Sequence, residues 1–375
     1  MRCQRGILLS SCALALASAI AANAADAQSI FDIGARVAPQ YHAYTIDSPS
    51  NTKISEFSVP FYVLVPVSPS LSFDVGNAYT QARVEQTAPG KTTTSTISGL
   101  TDTQIRGNYM LGNDFVVLTA GVYLPTGQST ATTRQLAAAS LIGSDFLAFP
   151  ITNMGTGLAG IGGVAVARPF GEWNLGMGLS MRRSADYTPF EAGTGQPMRY
   201  QPGNEYRARV GVDRGVGTGH LTLGLTYSTF GDDNLGGSIY NTGNRYLTQF
   251  AYNNTVGLGQ LTVVGWNLFR TAGTLADSTF LAHENITDAG AWYGIPVGST
   301  VVEPNLEART WFQANGVPAS LMTTLGVRIQ LGVAGYAVLP SLGYSLGRVG
   351  AQDPTGANTT ATLTGWHAML AVRLR

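Results

Sequence analysis

The sequence predicts an all-β protein, a transmembrane antiparallel up-and-down β-barrel of about 14 strands within a range of roughly 12 to 16. Three observations predict this fold. Apolar and small polar residues alternate along many segments, short connections between these segments alternate with long ones, and only 12% of the residues are charged. After residue 24 no stretch stays apolar for the roughly 18 residues that a membrane-spanning helix needs, so strands are the expected spanning elements.

The alternation is clearest in residues 220–230. There Leu221, Leu223 and Leu225 share one face of the predicted strand, while Thr222 and Gly224 share the other. The same pattern recurs in residues 173–182, 206–213, 321–332 and 362–375. A soluble sandwich would bury the apolar face and a membrane barrel would turn it toward lipid, and one strand alone does not distinguish them.

Composition favours the membrane barrel. A soluble domain carries about 25% charged residues because its surface meets water, whereas a wall in contact with acyl chains has no such need. The chain has 22 basic and 22 acidic residues, so no basic surface for nucleic acid is expected. The expected partners are outer-membrane lipid and a small-molecule solute.

The first 24 residues form a predicted signal peptide, with an alternative cleavage point after residue 27. Arg2 and Arg5 precede an apolar stretch at 7–22, and the small residues needed for cleavage follow it. We expect residues 28–375 to form a single outer-membrane β-barrel domain, located in the bacterial cell outer membrane after secretion to the periplasm.

Both cysteines, Cys3 and Cys12, lie in the predicted signal peptide, so the mature chain is expected to have no disulfide and no thiol ligand. Residues 9–12 also resemble a lipoprotein cleavage box. The apolar run continues beyond Cys12, which a lipidated N-terminus would not need, so this alternative is the weaker one.

Connection lengths distinguish the two ends of the predicted barrel, since outer-membrane barrels have short periplasmic turns and longer extracellular loops. Short connections are expected at 68–70, 112–114, 170–171, 215–219, 256–259 and 332–335. Long ones are expected at 45–53, 86–99, 125–156, 187–203, 231–243, 271–319 and 350–358. These joins give 14 strands. Counting residues 305–313 as one more strand would leave the C-terminus outside, so we assign them to the long loop.

Aromatic residues lie near the inferred strand ends, where a barrel places its aromatic girdles. They are Phe31, Tyr44, Tyr109, Tyr123, Phe170, Trp173, Tyr187, Tyr344 and Trp366. A terminal strand is the usual signal for barrel assembly machinery, which is therefore an expected partner, although the chain ends in Arg375 rather than an aromatic residue.

If the small polar face is turned inward, charged side chains line the lumen. The candidate lumen-lining residues are Arg36, Asp74, Arg106, Arg182, Arg207, Arg209, Asp213, Arg328 and Arg373, with Asp32 and Glu56 beside them. Rings of arginine select anions in some pores. The alternative is that these charges pair with one another and only fill a wet interior, because a buried unpaired charge is costly.

Residues 130–149 have a helix-forming composition with an apolar second half. This segment can fold into the mouth of the barrel and constrict it through Leu136, Leu141, Phe146 and Phe149. The alternative is an extracellular loop helix packed on its neighbours. A connection of this length without a role is uncommon, and the sequence leaves both readings open.

H-E-x-x-H does not occur, and the single G-x-S-x-G match, residues 343–347, lies within the predicted second-last strand rather than at the strand-to-helix turn that a catalytic serine of this motif needs. His283, Glu284 and Asp288, with Asp232 and Asp233 in another loop, are the candidate acids and bases for a hydrolase at the rim. Such residues in loops are more often merely solvated. We expect no enzyme activity, no cofactor and no metal site.

Two short motifs, residues 98–103 (Ser-Gly-Leu-Thr-Asp-Thr) and 124–127 (Leu-Pro-Thr-Gly), resemble the phenol meta-pathway, transporter-type outer-membrane β-barrel family. Residues 340–344 (Pro-Ser-Leu-Gly-Tyr) fit the same style. That family is distantly similar to FadL-type hydrophobic-compound channels. The resemblance implies passive passage of small hydrophobic or aromatic compounds across the outer membrane.

FadL-type channels carry an N-terminal plug before the first strand. Here a strand is predicted to begin at Phe31, soon after the cleavage point, so little chain remains for such a plug. Any obstruction of the lumen must then come from inward-folded loops, above all residues 125–156 or 271–319.

The first functional hypothesis is therefore an outer-membrane channel for small, hydrophobic or aromatic compounds, monomeric or trimeric. The alternative is a structural or adhesive outer-membrane barrel with binding loops and no transport. Solute identity, an open or plugged lumen and the oligomeric state stay undecided at this point.

Overall fold

The computed structural model describes residues 35–47, 51–191, 198–275, 280–314, 316–333, 336–352 and 357–374. They form a closed antiparallel barrel of 16 strands. Each strand pairs with its neighbours in the chain, and the last strand returns to pair with the first. The predicted fold class and its range of 12 to 16 strands are confirmed.

The strands are β1 (Arg36–Val37 and Gln40–Asp47), β2 (Asn51–Ser68), β3 (Leu71–Ala88), β4 (Lys91–Leu100 and Thr103–Leu111), β5 (Val116–Leu124), β6 (Ala159–Phe170), β7 (Trp173–Ser184) and β8 (Glu205–Val216). They continue with β9 (Gly219–Phe230), β10 (Arg245–Val256), β11 (Gly259–Arg270), β12 (Glu284–Val297), β13 (Thr300–Gln313), β14 (Ser320–Val333), β15 (Tyr336–Gln352) and β16 (Asn358–Leu374).

Closure comes from β1, which pairs with β2 on one side and with β16 on the other. Along the second seam Arg36 lies opposite Arg373, and His42 lies opposite His367. Closure leaves no unpaired row of backbone groups along a sheet edge, and this is the condition for a sheet to cross a membrane.

Residues 271–319 differ from the prediction. They are not one long loop, because residues 284–313 form the hairpin β12–β13, which turns at Gly298 with a φ of 62°. The assignment of residues 305–313 to a loop is wrong, because it counted them without their partner strand. The two strands of the hairpin are added together, so the strand number stays even. In β12 the outward positions include Thr287, Ala289 and Ala291, so this strand lacks the leucine-rich face by which the others were recognised.

In their described residues, three other predicted long loops are mostly strand. Residues 86–99 contain only a tight turn at Gly90, whose φ is 78°, since β3 runs to Ala88 and β4 starts at Lys91. Strand pairing likewise extends into 45–53 and 350–358. The polar composition of these segments belongs to strands that extend past the membrane into water.

The remaining long connections gather at one end of the barrel: residues 125–158, 185–204, 231–244 and 271–283. Short turns join the strands at the opposite end, where β1 begins and β16 finishes. By the asymmetry of outer-membrane barrels, the long-loop end faces outside the cell.

The orientation of the strand faces agrees with a membrane barrel. Outward residues are large and apolar and stay exposed, as at Leu225 (41%) and Leu325 (63%), whereas inward residues such as Glu56 and Asp74 are polar and buried. An apolar outer belt on a closed barrel requires a lipid environment. The protein is thus a transmembrane barrel of the bacterial outer membrane.

The predicted aromatic girdle is partly confirmed. Tyr109, Phe170, Tyr344 and Trp366 are exposed on the outward face. The outward Trp173 packs under Arg214, with 5.3 Å from the guanidinium carbon to the ring centre. Tyr44 and Tyr123 instead point inward, Tyr187 belongs to a loop, and Phe31 lies outside the described residues.

In the part of the chain that the structure describes, helix is confined to two short elements, α1 (Gly112–Phe115) and α2 (Leu136–Ile142). Within the described ranges, no helix has the length and hydropathy required to cross a bilayer. At the long-loop end, Tyr200–Gln201, Asp233–Leu235 and Ser238–Tyr240 form a small three-stranded sheet.

Candidate functional site: the lumen and its plug loop

The connection between β5 and β6, residues 125–158, folds into the barrel and is here called the plug loop. Its helix α2 ends at Gly143, and the chain then carries Phe146 and Phe149 inward, where both are fully buried (1% and 0% exposed). Ala138 and Ile142 on one face of α2 are also buried, since an alanine permits close approach to the wall. The inward-folding reading of this segment is the one that the structure adopts.

The plug loop packs against strands from much of the barrel circumference. Its apolar partners on the wall are Tyr44, Ile54, Val84, Ile97, Trp266, Leu268, Ile286, Met322 and Leu363. They come from β1 to β4, from β11 and β12, and from β14 and β16. Most of these positions lie toward the long-loop end, so the loop fills that part of the lumen with an apolar core.

Aromatic contacts give this core a defined geometry. The Phe146 ring stacks on Trp311 of β13 at 5.6 Å between centroids, and the Phe149 ring meets Tyr44 of β1 edge-on at 5.4 Å. Such ring pairs add about 0.5–1.5 kcal/mol each beyond the burial of apolar area.

Two polar anchors fix the apolar tip of the loop to different parts of the wall. The backbone N–H of Ile151 donates to Oε1 of Glu56 on β2 at 3.0 Å. On β13, the Arg309 Nη1 donates to the backbone carbonyl of Phe146, also at 3.0 Å. Both wall residues are buried, so each anchor replaces hydrogen bonds to water that the loop backbone has lost.

Arg309 is the centre of a buried ion network. Its Nε donates to Asp288 at 2.7 Å and its Nη2 to Glu307 at 2.8 Å, while its guanidinium carbon lies 5.4 Å from the centre of the Trp266 ring. The two carboxylates offset the buried cation, and the fixed guanidinium then presents Nη1 to the loop.

The base of the plug loop is held at β4. The carboxylate of Asp102 accepts from the backbone N–H of Gly127 at 3.1 Å and from that of Thr156 at 2.6 Å, so it joins the two ends of the loop. A Cβ atom at Gly127 would lie 2.1 Å from the Met154 carbonyl oxygen, which only glycine avoids. Asp102 and Gly127 belong to the motifs at 98–103 and 124–127, whose physical role is to close this loop.

The predicted constriction residues divide into two groups. Phe146 and Phe149 lie in the apolar core, and Leu141 packs against it. Leu136 is 36% exposed, on the face of α2 turned away from the core. The sequence reading missed Asp102 and Arg309, because their partners are backbone groups of a distant segment.

Several predicted lumen charges form pairs within the wall. Arg106 donates to Asp74 at 2.7 Å, Arg207 to Glu205 at 2.5 Å and Arg328 to Glu303 at 2.5 Å. Asp213 accepts from Asn174 at 2.8 Å, and Arg36 lies across the seam from Arg373. Asp32 lies outside the described residues.

Arg182 and Arg209 form no ion pair with a carboxylate among the described residues. Arg182 donates to Thr156 Oγ1 at 2.8 Å and lies over the Tyr123 ring, 4.6 Å from its centre. Arg209 donates to Gln249 Oε1 at 3.2 Å. Both side chains are on inward positions of neighbouring strands, β7 and β8.

The candidate acids and bases of a rim hydrolase do not converge. Glu284 pairs with Arg270 at 3.1 Å and Asp288 with Arg309, both inward, whereas His283 lies on the outward side, 6.2 Å from the Phe269 ring. Within the described ranges no group of three His, Cys, Asp or Glu has metal-binding spacing.

Asp233 begins a strand of the small sheet at the long-loop end, and Asp232 directly precedes that strand. Asp233 is buried there and accepts from the Gly203 N–H at 2.7 Å. The rings of Tyr187, Tyr200 and Tyr240 pack beside it, with 5.4 Å and 6.2 Å between successive centroids. Burial raises the pKa of Asp233, and burial together with nearby acidic groups raises the pKa of Tyr187 to about 12.

The raised pKa of Asp233 predicts a pH-dependent loop sheet. A carboxyl whose pKa is higher in the folded loop binds more protons there than in the unfolded segment. Protonated Asp233 therefore stabilises the folded loop fully at a pH below the ordinary pKa of aspartate. This stabilisation is lost as the pH rises through the raised pKa. We expect protection of the Gly203 amide against hydrogen exchange, corrected for intrinsic rates, to fall from pH 4 to pH 7 and to become nearly flat in Asp233→Asn.

Asp186→Asn is the matched control, because Asp186 lies in the same loops but pairs with Arg199 on the surface at 3.0 Å. It should keep the pH dependence of the parent chain. An unchanged slope in Asp233→Asn would contradict the assignment of that slope to Asp233.

A separate groove of about 560 Å³ lies on the outward face of β3 to β7, not in the lumen. Its floor is made of small residues, Gly107, Ala120, Gly160 and Gly162, and Arg183 is at its edge. Because these positions face the membrane, the groove is distinct from the channel.

No family model and no curated protein matches the chain. Among solved structures, OprB of Pseudomonas putida at low pH is similar with a TM-score of 0.48 and 10% identity, over 90% of this chain and 92% of that one. An outer membrane channel from Pseudomonas putida F1 has a TM-score of 0.37 and 12% identity, over 92% and 96%. OmpT, an outer membrane protein of Vibrio cholerae, has 0.42 and 10%, over 91% and 96%. At such identity no residue role transfers to this chain.

Proposed function

We propose that this chain is an outer-membrane channel for passive passage of small solutes, with the plug loop as its constriction. The observation that carries the proposal is that a single loop, anchored at Glu56 and Arg309, fills the lumen by packing on apolar wall positions toward the long-loop end, while much of the remaining inner wall is polar. A barrel built only as a scaffold needs no polar interior, since buried charges cost free energy unless they are paired or hydrated.

The wall beyond the reach of the plug loop favours a hydrated path. Toward the short-turn end the inward residues are polar and half-buried, among them Asn174, Asp213 and Thr222. Inward glycines on the same strands, Gly211 and Gly224, add width there. Water and small solutes can occupy such a space, as in other polar barrel interiors.

For the solute we propose a small compound with a hydrophobic or aromatic part. The resemblance of residues 98–103 and 124–127 to transporter-type barrels supports this class. Aromatic side chains near the mouth support it as well, including Tyr187, Tyr200 and the exposed Phe190. No chemical step belongs to this function.

The second candidate is a structural or adhesive barrel with binding loops and no transport. The observation that favours it is the dense packing of the plug loop, in which Phe146, Phe149 and Ile142 are all fully buried. A loop that never leaves this position would close the barrel permanently.

Planar-bilayer conductance of the purified full-length mature chain tests the proposal. We expect discrete channel openings, and liposome swelling that is faster with small solutes than with large ones. A barrel that inserts stably but gives neither conductance nor swelling overturns the channel and leaves the structural barrel.

A further inference from the structure

We infer that the channel selects small anions, and that Arg182 and Arg209 on the wall of β7 and β8 are the residues that bind them. This inference rests on the proposed function. It adds the charge class of the solute and the side of the lumen along which the solute passes.

The plug loop leaves one side of the lumen uncovered by its apolar core. Among the described residues, none of the inward side chains of β5 to β9 belongs to that core, which is built on β1 to β4 and on β10 to β16. The loop meets β7 at its polar end, where Thr156 accepts from Arg182, and at the mouth its residue Ala131 bonds the backbone of the connection that follows β7. A solute that passes the loop must therefore run along the wall of β7 to β9.

That wall is lined by small residues. Four inward positions on β7, β8 and β9 are glycines, namely Gly176, Gly178, Gly211 and Gly224. A Cβ at Gly211 or Gly224 would meet no atom closer than 3.5 Å, so the backbone there does not need glycine to avoid overlap. The missing side chains leave space beside the arginines of the same strands.

This wall carries one paired arginine, Arg207 with Glu205, but it also carries arginines that differ from those elsewhere in the lumen. Arg106, Arg270, Arg309 and Arg328 each form an ion pair with a carboxylate. In contrast Arg182, Arg209 and Arg245 have no carboxylate partner among the described residues, and their neighbours are Thr156, Gln249 and the Phe230 ring. A guanidinium cannot lose its proton at physiological pH, so each stays a cation that an anion can neutralise.

The three arginines are arranged from the mouth inward. Arg245 is the first residue of β10 at the long-loop end, and Arg182 lies near the same end of β7. Arg209 lies deeper, because it is four residues further along β8 than Glu205, the residue opposite Arg182 in the strand register. A series of cations along a narrow passage attracts anions from bulk solution and repels cations.

The neighbours of these arginines also indicate the chemical nature of the uncharged part of the anion. Arg182 lies against Tyr123, and Arg245 lies over Phe230, 5.5 Å from its centre, so aromatic faces adjoin two of the three cations. The planar guanidinium fork fits carboxylate or phosphate oxygens, and an adjoining ring accommodates an apolar body. The chemistry points to a small carboxylate with an aromatic or aliphatic part.

Reversal potentials in planar bilayers under a potassium chloride gradient test this inference. We expect the parent channel to prefer chloride, the double variant Arg182→Gln with Arg209→Gln to lose most of that preference, and Arg83→Gln to keep it. Arg83 is the matched control because it is exposed on the outward face, where it pairs with Glu85. Arg245→Gln, at the mouth, gives a second and milder variant that leaves the inner wall intact.

The outcomes separate the inference from the function beneath it. Absence of any conductance overturns the proposed channel. Two other results overturn only the anion site: conductance without preference for chloride, and a preference that is unchanged in both the double variant and Arg245→Gln. Competition then defines the ligand. Potassium benzoate should reduce chloride current at lower concentration than inorganic phosphate does, and the reverse order would overturn the carboxylate assignment.

Discussion

Replacing Phe146 and Phe149 together by alanine will raise the single-channel conductance severalfold. Both rings are fully buried in the apolar core between the plug loop and the wall, where Phe146 stacks on Trp311 and Phe149 meets Tyr44 edge-on. Each truncation of a buried phenylalanine costs about 3–5 kcal/mol where the site cannot collapse. The wall strands are hydrogen-bonded to each other rather than to the loop, so we expect the loop to leave the lumen while the barrel stays folded.

Phe170→Ala is the matched control for this variant. Phe170 is 78% exposed on the outward face at the end of β6, so the same chemical change there removes no packing inside the lumen. Conductance should stay at the parent level in the control. An unchanged conductance in the double alanine variant, with the barrel still inserted, would show that the plug loop does not limit the passage.

Replacing Arg309 by methionine will release the tip of the plug loop. The change leaves the buried Asp288 and the half-buried Glu307 without their cation and the Phe146 carbonyl without its donor. Breaking a buried ion pair by removing one partner costs about 3–5 kcal/mol. Part of this cost falls on the wall, and part on the loop, whose anchor to β13 is lost.

Chymotrypsin digestion measures the release, because the Phe146–Leu147 bond is buried in the parent chain and Pro150 protects the bond after Phe149. We expect rapid cleavage at Phe146 in Arg309→Met and slow cleavage in the parent and in Arg83→Met. The Arg83–Glu85 pair is exposed, and such surface pairs contribute only about 0.2–1 kcal/mol. Equal resistance in all three chains would be incompatible with an anchoring role for Arg309.

The barrel itself could be predicted from the sequence because its signal is local. Alternation of Leu221, Leu223 and Leu225 with Thr222 and Gly224 separates the two faces of β9, and the scarcity of charge together with the turn spacing then assigns the apolar face to lipid. The exception is the hairpin of residues 284–313. There the outward positions of β12 are small, so the period carries no apolar signal, and only pairing with β13 identifies the strand.

The candidate site was predictable only in part. The apolar second half of residues 130–149 indicated a segment that needs burial, and Ile142, Phe146 and Phe149 are all fully buried there. Its anchors could not be predicted, because Glu56 and Arg309 are separated from Ile151 and Phe146 by 95 and 163 residues in the chain. No local pattern encodes a contact across such a distance.

The sequence alone therefore determined the class of the molecule, since alternation, scarcity of charge and turn spacing are properties of each strand and its immediate neighbours. The tertiary structure decided which charges are paired, as at Arg106, and which are not, as at Arg182 and Arg209. It also decided which loop fills the lumen. The physical reason is that ion pairing and the packing of the plug loop depend on distances across the closed barrel. Those distances are set only when β1 pairs with β16.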